Sequence, residues 1–137
     1  MKDIIDWEIC KSDFIKKVEI DKPQIMSIIE TAESRLNFLR RSKVTSETVS
    51  FVIEGYYEVI KELLTALLLK NGFRSKNHQC LISFFYHNYK EYELEANLIL
   101  RLSFLRNRLN YYGEKITLDY YNKDKFENII NVIKNLL

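Results

Sequence analysis

TSETVSFVIEGYYEVIKELLTALLLKNG, from Thr45 to Gly72, is the stretch on which the fold turns. Its residues Val49, Val52, Tyr56, Val59, Ile60, Leu63 and Leu67 recur three and four apart, the spacing of one helix face. From Leu63 to Leu69 the segment is apolar almost all round, which suits a helix enclosed by others. Asn71-Gly72 supplies the stop, because glycine accepts the left-handed conformation that ends helices. The start is expected at Thr45 or Ser46, just before Glu47.

Such a helix needs partners, and the flanking sequence supplies them. Asp21 is a good N-cap, with Pro23 in the first turn, for a helix reaching Arg41. Its stripe is Ile25, Ile28, Ile29, Ala32, Leu36 and Leu39. Ser75 can cap a helix from Lys76 to about Tyr89. A longer one, about Glu91 to Tyr112, carries the stripe Leu94, Leu98, Leu102, Leu105, Leu109 and Tyr112, and Gly113 ends it. The last helix starts near Lys123 and buries Phe126, Ile129, Ile130, Ile133 and Leu136. Ahead of these, residues 1–20 hold a short helix from Asp3 to Lys11 and an extended piece from Lys16 to Ile20. One proline and three glycines disfavour a turn-rich β design. The expected fold class is all-α, an antiparallel bundle of four to five helices, forming one domain over residues 1–137 with residues 1–20 packed on it.

Composition narrows the function classes. A net charge of +2 is too small to argue for nucleic acid by itself. Local basic clusters carry more information: Arg35, Arg40, Arg41 and Lys43; Lys70, Arg74 and Lys76; and Arg101, Arg106 and Arg108. Cys10 and Cys80 stand alone, without a CxxC partner, so free thiols in a cytoplasmic protein are expected and a zinc site is not. The longest apolar run, Leu63 to Leu69, is too short to span a membrane. Acids at Asp3, Asp6 and Glu8 argue against a signal peptide.

Polar groups concentrate at the end of the Glu91–Tyr112 helix, in Arg106-Asn107-Arg108-Leu109-Asn110-Tyr111-Tyr112. Ser103, Asn107 and Tyr111 share one face, and Arg106 and Asn110 the next. The plain explanation is electrostatic. Acids at Glu91, Glu93 and Glu95 sit at the positive end of the helix dipole and arginines at the negative end. Arginine also offers a planar fork of donors that fits phosphate.

Two blocks together resemble the HEPN domain family. The first runs from Gly55-Tyr56-Tyr57 through Ala66-Leu67-Leu68-Leu69 and Gly72 to His78, Phe84 and Phe85. The second is Leu105-Arg106-Asn107-Arg108-Leu109-Asn110-Tyr111, similar to the family's arginine and asparagine followed by a histidine. The resemblance covers roughly residues 21–137. It implies a helical bundle and a homodimer that binds RNA or a nucleotide or pairs with a minimal nucleotidyltransferase, often as a toxin–antitoxin couple. In active members it implies metal-independent RNA cleavage, with no cofactor.

Carried onto this chain, the motif falls on Arg106 and Asn107, with Tyr111 where the histidine belongs. A phenol with a pKa of roughly 10 is a poor proton acceptor at neutral pH, and loss of general-base catalysis costs about 100- to 10,000-fold. The resemblance therefore implies a binding module, catalytically weak or inert, with Arg101, Arg106, Arg108 and Tyr112 as candidate phosphate or nucleic-acid contacts. The alternative is an endoribonuclease using Arg106, Asn107 and Tyr111. A further option is adenylylation of a tyrosine such as Tyr112, although the family's offset falls on Gly113. Of the two histidines, His78 reads as a capping or packing residue and His87 as a surface one.

Overall fold

The computed structural model describes residues 3–137; Met1 and Lys2, at the head of the expected N-terminal segment, lie outside it. Six helices follow in order: α1 (Trp7–Asp13), α2 (Lys22–Arg41), α3 (Val49–Lys70), α4 (His78–Asn88), α5 (Glu93–Tyr112) and α6 (Lys123–Leu136). Two short strands, β1 (Ile15–Lys17) and β2 (Phe73–Ser75), pair antiparallel with Ile15 opposite Ser75. The all-α reading holds, with this small ribbon added. Among the described residues no helix is long and apolar enough to cross a membrane.

α3 is the centre of the molecule. Its buried residues run from Val49 to Leu69 and face more than one side, and it touches α2, α4, α5 and α6. Against α2 the approach is close: a Cβ on Gly55 would come within 2.5 Å of Leu39 Cδ2. The helix begins later than Thr45. Thr48 Oγ1 accepts from the Thr45 amide at 2.8 Å and the Thr48 amide donates to Thr45 Oγ1 at 3.2 Å, which folds these residues into a turn.

α4 also starts later than expected. Phe73–Ser75 are committed to the ribbon, so the cap moves from Ser75 to Asn77, whose Oδ1 accepts from the Gln79 amide at 2.8 Å. His78 is thus the first helical residue and not the cap.

The inward face of α5 differs from the leucine stripe. Leu102 and Leu105 are buried, but so are Ala96, Ile99, Leu100 and Ser103, while Leu94 and Tyr112 are exposed. The small side chains of Ala96 and Ser103 let α5 sit close against its neighbours α3 and α4.

The expectation of free thiols is overturned. Cys10 of α1 and Cys80 of α4 are both fully buried and joined in a disulfide across 70 positions of sequence. The cytoplasmic assignment loses the support it drew from free cysteines, since disulfides persist mainly in oxidising surroundings. Closing so long a loop restricts the unfolded chain and is worth about 2–4 kcal/mol. Reduction with dithiothreitol, or Cys10→Ala, is expected to lower the melting temperature clearly. An unchanged melting curve, with both thiols open to alkylation in the untreated protein, would contradict the bond.

A polar network ties α2, α3 and α6 together. Arg40 donates to Glu127 through Nη2 at 2.6 Å and Nε at 3.2 Å, and the Tyr56 hydroxyl donates to Glu127 Oε2 at 3.0 Å. The Arg40 guanidinium, against an opposing effect of burial, holds the Glu127 carboxyl below the usual carboxylate range. Burial, and then Glu127 itself, push the Tyr56 phenol well above its ordinary value. Because the folded state favours ionised Glu127, its contribution is complete above the ordinary carboxylate range and is lost as pH falls through the lowered value. Urea titrations from pH 6 to pH 3 are expected to show a smaller loss of stability in Glu127→Gln than in the parent. Parallel curves would contradict this.

Candidate functional site

Residues on α5 pass from core to surface within one turn. Ser103 is buried; its hydroxyl donates to the Leu100 carbonyl at 2.6 Å and accepts from Gln79 Nε2 of α4 at 3.3 Å. Arg106 and Asn107 follow Ser103 by three and four residues, so they continue its face one turn further on. There the apolar filling stops, and a cavity of about 340 Å³ opens between α4 and α5.

From α5 the cavity is lined by Arg106, Asn107 and Tyr111. Lys76, Asn77, His78 and Gln79 line it from the start of α4, and Phe14 and Tyr57 complete the lining. The ribbon fixes this geometry. The Lys76 amide donates to the Phe14 carbonyl at 3.0 Å, and the Asn77 amide donates to Ser75 Oγ at 3.1 Å. The disulfide sits one residue beyond Gln79 and clamps α1 to the same turn of α4.

The electrostatics of this cavity are one-sided. Among the described residues no carboxylate lines it. The Arg106 guanidinium carbon lies 5.0 Å from the centroid of the buried Tyr57 ring, a contact worth about 0.5–2 kcal/mol. Its Nε is buried without a hydrogen-bond partner, an omission worth about 1–3 kcal/mol. Among the described residues neither Arg106 nor Lys76 joins an ion pair, whereas Arg35, Arg40, Lys61 and Arg108 all do.

Desolvation first, then the positive charges of Lys61 and Arg106, hold the His78 imidazole below its ordinary pKa; Glu58, paired with Lys61, acts weakly the other way. His78 is therefore mostly neutral at pH 7. Burial pushes the Tyr57 phenol up, and Arg106 offsets part of this. Such a site presents donors and positive charge, and the nearby carboxylate of Glu58 is already paired with Lys61, which leaves an environment for an anion.

Of the residues singled out in the sequence, the cavity gathers Arg106, Asn107 and Tyr111; Tyr111 is at the rim, 70% exposed. The other three lie elsewhere. Arg101 lines a separate groove with Lys125 and Asn128 of α6. Arg108 is paired with Glu114 at 2.6 Å. Tyr112 is exposed beside the left-handed Gly113.

His78, Lys76 and Gln79 were missed as site residues. The signal for them was weak: Lys76 belonged to a basic cluster and His78 to a helix start. His87 is exposed, as expected of a surface residue, and one face stacks on the largely buried Trp7 with ring centroids 6.0 Å apart.

Compared with protein-family models, curated proteins and solved structures, the chain matches none.

An anion that fills the cavity would meet the Arg106 guanidinium and stabilise the folded chain. At ten times its dissociation constant, sulfate is expected to add about 1.4 kcal/mol, a rise of about 3 °C or more in melting temperature over chloride at equal ionic strength. Arg106→Ala should abolish the difference. An equal rise in that variant would place the anion elsewhere.

Proposed function

We propose that this chain is a HEPN-like binding module that takes the phosphate groups of RNA or of a nucleotide in the α4–α5 cavity. The observation that carries the reading is Arg106: among the described residues its buried Nε has no partner, and it lines a cavity with Lys76 and His78 and no carboxylate. The resemblance in the Gly55–Phe85 and Leu105–Tyr111 blocks supports the same reading and adds a homodimer, and a minimal nucleotidyltransferase as partner, to the proposal. Arg106 and Lys76 supply charge, Asn107 an amide, and the exposed Tyr111 ring a face on which a base can stack, a contact worth about 1–3 kcal/mol.

The test is binding of single-stranded RNA by fluorescence anisotropy. Arg106→Ala is expected to weaken binding about tenfold or more, as loss of a charge-assisted phosphate contact does, while Arg101→Ala changes it little. The reverse pattern would refute the assignment. Binding should also tighten as pH falls from 8 to 6, because phosphate favours protonated His78 and the diester charge stays constant. That dependence should fade in His78→Gln.

One observation favours a second reading, a metal-independent endoribonuclease. His78 lies in the cavity with Arg106 and is held mostly neutral, so a proton acceptor is present although Tyr111 replaces the motif histidine. Cleavage of RNA in EDTA that disappears in His78→Ala and persists in Tyr111→Phe would establish it over inert binding.

A further inference from the structure

A protein that follows an RNA strand spreads its cations along a groove. Here they do not spread. Arg106, Lys76 and His78 converge on one cavity, and the arginines that flank Arg106 on α5 lead away from it: Arg108 is taken by Glu114 and Arg101 faces α6. At about 340 Å³ the cavity is at the small end of ligand sites and is open to solvent on one side, with Phe14 and Tyr57 in its lining. It has room for one phosphate and what carries it; past His78 the adjoining groove holds Arg74, while Arg101 and Arg108 lead away on α5, so a charged path continues on one side only.

The donor set also exceeds what an internal phosphate can use. A phosphodiester carries one negative charge and two free oxygens. A phosphate monoester carries about −1.5 to −2 at pH 7 and three free oxygens. Arg106 and Lys76 bring two permanent positive charges, and Arg106 Nε is a donor with no partner inside the protein. His78 faces Lys61 and Glu58 of α3 and Arg106 of α5. The second ionisation of a monoester lies near that of an imidazole, so the two can share one proton. A diester has no such proton to share.

We infer that the cavity is a receptor for a terminal phosphate monoester, the phosphorylated end of an RNA chain, rather than for an internal phosphodiester. The inference rests on the RNA-binding reading above and narrows it.

The experiment compares three single-stranded oligoribonucleotides of one sequence, carrying a 5′-phosphate, a 3′-phosphate or neither, titrated against the full chain. One phosphorylated end is expected to bind about tenfold tighter than the unphosphorylated strand, and which end it is identifies the ligand. The gain should shrink to about threefold or less in Lys76→Ala and in His78→Gln, both at exposed positions where the fold tolerates change. If all three strands bind the parent within twofold of one another, the inference is overturned and RNA binding stands. If none binds, both fall. If the gain survives undiminished in both variants, the end is held elsewhere and the inference is overturned.

Discussion

The structure depends on the burial of α3. A helix that is apolar nearly all round cannot lie on a surface, so the chain must wrap it, and α2, α4, α5 and α6 all pack on it. Burying a leucine or isoleucine side chain contributes about 1.5–3 kcal/mol, and α3 supplies many. That requirement holds α4 and α5 at fixed places around the same helix. The cavity is what remains where their packing runs out, past Ser103 on one and before Cys80 on the other. Tyr57 links the two levels: it is part of the α3 core, and its ring lies under the Arg106 guanidinium.

Most of the fold was legible because its signals were local. α2 runs from Lys22 to Arg41 behind Asp21, whose side chain accepts from the Gln24 amide at 3.0 Å, and α6 runs from Lys123 behind Asn122. The first follows from its capping residue and a regular stripe, the second from its stripe alone. The errors came where a long-range contact overrode a local preference. Ser75 is a good cap in isolation, but pairing with β1 takes it first. The Cys10–Cys80 bond depends on α1 lying against α4, and nothing in the spacing of two isolated cysteines records that.

α5 shows how much a face can mislead. At about 100° per residue, the leucine stripe and the Ser103–Asn107 face lie on roughly opposite sides of the helix. Both have buried members, because α5 is packed on more than one side. The polar face reads as lying beside the core; at Ala96 and Ser103 it is part of the core, and only Asn107 and Tyr111 lie beyond it. The same rotation explains which candidate residues meet. Arg101, Arg108 and Tyr112 lie about 120–160° round the helix from the middle of that face, so they do not join Arg106 and Asn107 in one cavity. Lys76 and His78 come from another helix, and their arrival there is a product of tertiary packing.

The most direct measurement is an NMR titration of the protein with RNA, following the Arg106 Nε–Hε group and the His78 imidazole. The expected result is that both resonances move together and saturate with the same dissociation constant, as the guanidinium and the imidazole acquire a phosphate neighbour. If both stay in place while the shifts gather at Arg101 and Lys125, or along Arg35 to Lys43, the α4–α5 cavity is not where this protein binds.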